Sequence, residues 1–102
     1  MIIQQGDVLF VQVGSAAGKP VPRDPQRGVV FAEGEATGHA HVTFDEGVML
    51  LREGETLYAS ADNPFIVVHE EHGPVKVPAG DWEVRRVREH DHFAEESKQV
   101  RD

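Results

Sequence analysis

Residues 38–51 read Gly-His-Ala-His-Val-Thr-Phe-Asp-Glu-Gly-Val-Met-Leu-Leu, which places two strand-like stretches on either side of a polar turn sequence. The Asp-Glu-Gly of residues 45–47 contains the residue types expected of a hairpin connection. Residues 48–51 are apolar on both faces of a strand, and residues 38–44 alternate histidine or threonine with apolar side chains. We therefore predict a β-hairpin over residues 38–51.

The remainder of the chain has the same short-range pattern. Ten glycines and six prolines separate apolar runs of roughly four to nine residues, which is typical of an all-β chain. Further strands are predicted at residues 7–13, 29–32, 57–59, 65–69, 75–77 and 82–88. Strict alternation fails near Arg85 and Arg86, so a β-bulge is predicted there, and Trp82 is predicted to anchor the core.

The length of 102 residues predicts one domain over residues 1–102, with its strands arranged as an antiparallel β-barrel or β-sandwich. Residues 14–28 contain three prolines and no periodicity, which predicts a long exposed loop. Further along the chain, Asp91 is a candidate N-cap, so residues 91–102 are interpreted as either a short helix or a frayed tail.

The composition argues against several classes of function. Ten Lys plus Arg against eighteen Asp plus Glu give a formal charge of −8, which repels a phosphate backbone and argues against nucleic-acid binding. The chain has no cysteine, so a metal would need nitrogen and oxygen ligands, and cysteine-based catalysis is excluded. No apolar run approaches membrane-spanning length and the first residues lack a signal-peptide pattern, so a cytoplasmic protein with no membrane partner is expected.

Two pairs of histidines provide the candidate metal ligands. His39 and His41 are two positions apart, so on a strand their side chains leave the same face about 7 Å apart and can converge on one ion. His69 and His72 are three apart, so they can share an ion only if the chain turns between them, and the Gly-Pro that follows favours such a turn. Because side chains alternate between the two faces of a strand, His69 shares a face with Phe65 and Val67 and is predicted to point inward or toward the rim of a pocket. The alternative interpretations are a solvated strand face for the first pair and a charged loop for the second.

Other polar groups are further candidates. Glu70 and Glu71 offer carboxylate oxygens to a metal, although neither is assigned a catalytic role. His90 and His92 repeat the two-residue spacing beside the acidic tail. Residues 85–88 contain three arginines, which could hold an anion, but the glutamates that flank them favour cross-strand ion pairs.

The order and spacing of several of these residues resemble the first metal-binding motif of the cupin family. The residues that carry this resemblance are Gly34, His39, His41, Glu46 and Gly54. Residues 73–80 are similar to the start of the second cupin motif, but Glu83 stands where that motif has its last histidine ligand, and Val87 where it has asparagine. The same region resembles small bacterial proteins with Gly-His-x-His and His-Glu-Glu-His segments.

The cupin resemblance implies a small barrel with a metal bound inside it. In that arrangement His39 and His41 are ligands, Glu46 can be one, and His69, His72 or Glu83 replaces the absent histidine. Our leading hypothesis is therefore a site of His39, His41, His69 or His72, and Glu46 for one divalent metal, Zn, Ni, Mn or Fe(II). The resemblance implies Lewis-acid or dioxygen chemistry at an open position, and the sequence does not decide whether the protein is an enzyme.

Two other functions are consistent with the sequence. The first is a non-enzymatic β module that assembles with itself or binds a partner protein, with structural or pH-responsive histidines. The second is the binding of a small anionic ligand near the arginines of residues 85–88. Whichever function holds, the β domain is predicted to form a homo-oligomer through an edge strand or an exposed apolar outer face.

Overall fold

The computed structural model describes residues 1–34 and 38–87. Within these ranges the chain forms ten β-strands and no helix, which confirms the all-β prediction. The strands are β1 Ile2–Gln5, β2 Val8–Val13, β3 Lys19–Pro20, β4 Val29–Glu33, β5 Ala40–Thr43, β6 Val48–Glu53, β7 Thr56–Ala61, β8 Phe65–Val67, β9 Val75–Val77 and β10 Gly80–Arg86. The helix or tail predicted for residues 91–102 lies outside the described residues.

The strands form one large antiparallel sheet and two small ones. The large sheet has six strands in the order β1-β2-β10-β7-β6-β3, and the small sheets are the pairs β4-β5 and β8-β9. A bridge between Val42 and Val68 joins the two small sheets beside each other. Among the described residues, the outer strands β1 and β3 do not pair with each other, so the sheet is not closed into a barrel and the arrangement is that of a sandwich.

The core lies between these sheets and is dominated by aromatic rings. Phe10 of β2 contacts Phe31 of β4 edge to face, with ring centroids 5.0 Å apart, and Phe65 of β8 packs against both. Trp82 is fully buried and its Nε1–H donates to Pro78 O at 3.0 Å, which confirms the prediction of a core anchor. Because these rings come from both layers, their burial holds the small sheets on the large one.

Two tight turns of the large sheet depend on glycine. Gln5 and Val8 are paired across the turn Gly6-Asp7, and Gly6 has a φ of 55°. The turn Gly54-Glu55 between β6 and β7 has the same form, with a φ of 63° at Gly54. A glycine at positive φ in the first central position is typical of type II′ hairpin turns, whose twist matches that of the strands. The first of these turns places Asp7 beside the histidines described below.

The hairpin predicted for residues 38–51 is not formed. Both strands exist, but β5 pairs with β4 in a small sheet whereas β6 pairs with β7 and β3 in the large one. The turn at residues 45–47 therefore carries the chain from one layer to the other. Hydrogen bonds hold this crossing, because the Asp45 carboxylate accepts from Ile66 N at 2.8 Å and Arg23 donates to Asp45 O at 2.7 Å.

The β-bulge predicted at Arg85 and Arg86 is also wrong. Strand β10 stays in register with β2 from Asp81 to Arg86, and a register shift occurs instead in β4, between Val30 and Ala32. No bulge is needed in β10, because Arg86 takes its side chain out of the core to an ion pair with Asp7 at 3.0 Å. The break in apolar alternation therefore marks the solvent end of the strand.

The loop predicted at residues 14–28 is present and mostly exposed or half-buried. It contains the two-residue strand β3, which pairs with β6 at the edge of the large sheet. It also contains a small turn closed by reciprocal backbone hydrogen bonds between Asp24 and Gly28, at 2.8 and 2.9 Å. In the described part of the chain there is no helix with the length and apolar character needed to cross a membrane.

Candidate metal centre

The four histidines within the described residues lie next to one another. His39 and His41 lie at the start of β5, and His69 and His72 lie in the connection between β8 and β9. The ring centroids of His41 and His69 are 4.4 Å apart, and those of His69 and His72 are 4.7 Å apart. The centroids of His39 and His69 are separated by 5.7 Å. The fold thus brings together the two pairs that the sequence singled out.

Backbone pairing explains why these two segments meet. Val42 N donates to Val68 O at 3.0 Å, and Val68 N donates to Val42 O at 2.8 Å. This bridge fixes the chain beside β5 immediately before His69, and the chain then bends through residues 70–72. The turn that His69 and His72 need in order to face one region is therefore present.

Three residues of this cluster have the arrangement of metal ligands. His39, His69 and Glu70 each offer one ligand atom, and these atoms all lie within 4.8 Å of one another. Two imidazole nitrogens and one carboxylate oxygen are a donor set that suits Zn²⁺ and the divalent ions of Mn, Fe and Ni. His39 and His69 are half-buried and Glu70 is exposed, so an ion can enter from solvent.

Hydrogen bonds from neighbouring groups orient two of these ligands. The Glu71 carboxylate lies 2.8 Å from His39 Nδ1, which leaves His39 Nε2 as the lone pair available to a metal. Ala40 N donates to Glu70 Oε1 at 3.0 Å. That hydrogen bond and the nearby rings of His39 and His69 lower the pKa of Glu70, which keeps its carboxylate ionised.

His69 must change one hydrogen bond in order to bind a metal. Its Nδ1 accepts from Glu71 N at 3.0 Å, so the neutral ring carries its proton on Nε2. A metal bound at Nδ1 would displace the amide of Glu71 from that nitrogen. A metal bound at Nε2 would require the ring proton to move to Nδ1, and Nδ1 could then no longer accept the hydrogen bond from Glu71 N. Metal binding therefore releases Glu71 N by either route.

His41 is buried and held on both sides of its ring. It is 1% exposed, its Nδ1 lies 2.8 Å from Gln5 Oε1, and its Nε2 lies 3.3 Å from Asp7 Oδ1. Burial and the neighbouring His69 lower the pKa of His41 to about 4, and Asp7 opposes this shift. At neutral pH the ring is therefore uncharged.

His72 packs against the turn between β1 and β2. Its side chain is exposed, and its ring is nearly parallel to that of His41 with centroids 6.0 Å apart. A Cβ placed on Gly6 would clash with Nε2 of this ring. Any side chain at Gly6 would therefore push His72 out of its position.

Gly6→Ala is expected to lower the free energy of unfolding by about 1–2 kcal/mol, because alanine at positive φ is strained, and to displace the His72 ring. Urea unfolding measures the first effect and the NMR shifts of the His72 ring measure the second. Gly47→Ala is the matched control, since a Cβ there meets no atom within 4 Å. An unchanged His72 resonance in Gly6→Ala would contradict the described contact.

The structure does not bring every predicted residue to the cluster. Glu46 is exposed and follows the far end of β5 from His39, where its carbonyl accepts from Arg23 at 3.2 Å. Glu83 lies in the middle of β10, opposite Val11 of β2. The pair His90 and His92 lies outside the described residues. Arg86 forms an ion pair with Asp7, which lies in the turn between β1 and β2.

Sequence reasoning did not assign three residues that contribute to the site. The sequence identifies Glu70 only as an oxygen donor, although its place directly after His69 is a usable signal. Asp7 and Gln5 are 34 and 36 positions from His41 and reach it only through the β1–β2 hairpin. No local pattern in the sequence points to either of them.

Comparisons with known proteins give one match. The model of a family described as a domain of unknown function, DUF8820, matches residues 4–87, which includes all four described histidines. No curated protein and no solved structure matches the chain.

Proposed function

We propose that this chain, which belongs to the DUF8820 family, is a divalent-metal-binding protein with a site formed by His39, His69 and Glu70. The observation that carries the proposal is the approach of the three ligand atoms to within 4.8 Å of one another. The ligands come from two segments, and the bridge between Val42 and Val68 fixes both segments before any ion arrives.

The surroundings of the three residues support this function. Glu71 orients His39, and Ala40 N orients Glu70, which are the outer hydrogen bonds that ligating histidines and carboxylates usually have. Three protein ligands leave at least one coordination position for water or substrate, where a bound metal would supply Lewis-acid chemistry. The donor set is compatible with Zn, Ni, Mn and Fe(II).

This ligand set differs from the one that the cupin resemblance implies. It keeps His39 and His69, replaces Glu46 by Glu70, and leaves His41 and His72 packed beside it. The cupin relationship, a cytoplasmic location and homo-oligomerisation stay predictions. The exposed side chains of Phe44, Met49 and Ile66 are available for self-association.

Loss of a ligand is expected to weaken metal binding on the order of 100-fold, because two remaining donors hold an ion far less firmly than three. Untagged protein is stripped with a chelator and titrated with Zn²⁺ against a chromogenic competitor, with Ni²⁺, Mn²⁺ and anaerobic Fe²⁺ in parallel. The wild type should bind at least one equivalent that the Glu70→Gln and His69→Ala variants lose.

Glu46→Gln is the control for this experiment, since it removes a carboxylate that the sequence suggests as a ligand but that the fold places away from the cluster. This variant should bind within about twofold of the wild type. Equal binding by the wild type and by Glu70→Gln would overturn the proposed site. Loss of binding in Glu46→Gln alone would favour the cupin-type ligand set instead.

A further inference from the structure

Two positive side chains lie next to each other at one edge of the large sheet. Lys19 of β3 is directly opposite Arg52 of β6 in their antiparallel pair, and both residues are exposed. Residues paired in this way place their Cβ atoms about 4.5–5.5 Å apart on the same face of the sheet, and like charges in this position repel. A negative group bound between the two side chains would remove this repulsion.

Neither cation has a partner among the residues that the structure describes. Arg27 and Arg86 each form an ion pair with a carboxylate. In the described part of the chain, by contrast, no hydrogen bond or ion pair is formed by the side chain of Lys19 or of Arg52. Eighteen acidic residues against ten Lys plus Arg are enough to pair every cation of the chain. These two positive charges are therefore available to a ligand.

Both cations line an open cavity of about 660 Å³. Its wall is formed by two short segments, residues 18–22 and 52–54. Pro20, Val21 and Pro22 give this wall an apolar surface beside the charged pair. Sites for small molecules are typically concave, of roughly 300–1,000 Å³, with mostly apolar walls and a few polar groups that fix the orientation of the ligand. The cavity therefore has the size and composition of a site for a small organic anion.

The backbone holds the cavity in place without a ligand. At Gly18 the φ angle is 112°, and a Cβ placed there would clash with the carbonyl oxygen of Arg52, so glycine lets the two segments lie this close. Ala16 N donates to the Asp81 carboxylate, and Val21 N donates to a carbonyl of β6, each at 2.8 Å. The segment is thus fixed to the large sheet on both sides of β3. Because binding has little left to order, its entropic cost is low.

One acidic residue, Glu53, also lines the cavity. It follows Arg52 in β6, and successive side chains of a strand leave opposite faces of the sheet. The Glu53 side chain therefore leaves the face opposite to that of the cation pair. The face that carries Lys19 and Arg52 keeps its positive charge.

We infer that the cavity formed by residues 18–22 and 52–54 binds a small organic phosphate. A phosphate monoester carries a charge of about −1.5 to −2 at neutral pH, which matches two cations better than the single charge of a carboxylate does. The planar guanidinium of Arg52 can donate two parallel hydrogen bonds to phosphate oxygens, and the Lys19 ammonium binds phosphate as a point charge. The apolar wall would contact the organic part. The site shares no residue with the proposed metal site, so the inference does not depend on the proposed function.

An NMR titration with phenyl phosphate tests this site. Metal-free ¹⁵N-labelled protein at pH 7.5 is titrated at an ionic strength held constant with sodium chloride, so that general screening of charge does not change. We expect saturable shifts of the backbone amide resonances of Gly18, Lys19 and Gly54. Inorganic phosphate should bind more weakly at the same amides, because it lacks the apolar part that contacts the prolines.

Lys19→Gln and Arg52→Gln should each weaken phenyl phosphate binding about tenfold, as expected for the loss of one charge-assisted hydrogen bond. Both side chains are exposed, so both variants should fold, which unchanged amide resonances outside the cavity would confirm. Lys76→Gln is the charge-matched control, since Lys76 is an exposed lysine of β9 that does not line the cavity. It should bind within about twofold of the wild type.

Four results would overturn the inference. The first is a set of cavity amides that stay unmoved at the highest concentration of phenyl phosphate. The second is wild-type affinity in both Lys19→Gln and Arg52→Gln. The third is equal weakening in Lys19→Gln and Lys76→Gln, which would show general attraction to positive charge and no built site. The fourth is equal affinity for inorganic and phenyl phosphate, which would exclude a role of the apolar wall.

Discussion

Replacement of Gln5 by alanine is expected to lower the free energy of unfolding by about 4 kcal/mol, because buried groups left without hydrogen bonds cost about 1–3 kcal/mol each. The Gln5 amide is fully buried and serves three partners, Val67 O, Gly73 O and His41 Nδ1. Alanine removes all three bonds and leaves a cavity between β1 and the connection from β8 to β9. Urea denaturation of chelator-treated protein measures the loss.

Gln12→Ala is the matched control, since Gln12 is an exposed glutamine on the neighbouring strand β2. Its expected effect is within about 0.5 kcal/mol of zero, as for most exposed positions. A loss below about 1 kcal/mol in Gln5→Ala would contradict the described network. The same variant should also loosen the loop of His69 and His72, because Gln5 binds the backbone on both sides of it.

Acidification is expected to destabilise the metal-free protein well above the pH at which carboxylates titrate. The pKa of His41 is lowered from 6.5 to about 4 by burial and by His69. Between pH 6.5 and about 4 the His41 ring therefore binds a proton in the unfolded chain but not in the folded chain. The free energy of unfolding is highest above pH 6.5 and falls as the pH drops toward 4. The free energy of unfolding should change by up to about 1.4 kcal/mol per pH unit, and its total loss over this interval should be about 3 kcal/mol.

Urea unfolding in the presence of a chelator at pH 7.5, 6, 5 and 4.5 measures this slope. The carboxylates with lowered pKa values, such as those of Glu70 and Asp81, begin to lose their stabilising contribution only nearer pH 4 and below, so they contribute little to this interval. His41→Gln has no titrating ring and should have a flatter profile in the same range. A wild-type stability that stays constant from pH 7.5 to 5 would show that His41 is not buried in its neutral form.

The arrangement of the site follows from the contact between the two layers. The β1–β2 hairpin of the large sheet supplies Gln5 and Asp7, whereas the small sheets supply His41 and His69. A change that separates the layers should therefore alter both metal binding and stability. Residues on the outer faces should affect neither.

The sequence predicted the local features of the site well. The spacing of His39 and His41, and the His-Glu-Glu-His segment, identified the four described histidines that the fold brings together. Trp82 was correctly predicted to be a core residue, and most strands were located within a few residues. These predictions succeed because strand periodicity and turn residues act over only a few positions.

The chain by itself determined an all-β fold, the short strands that build it and the segments that carry histidines. Only the tertiary structure decided that residues 45–47 cross between layers. It also brought Glu70, and not Glu46, beside His39 and His69. The contacts of Asp7 and Gln5 with His41 are likewise visible only in the fold. The physical reason is that hydrophobic pattern and turn residues specify where a strand begins and ends. Which other strand it pairs with depends on how apolar surface is buried across the whole molecule. Contacts between residues 36 positions apart, such as Gln5 and His41, follow from that packing alone.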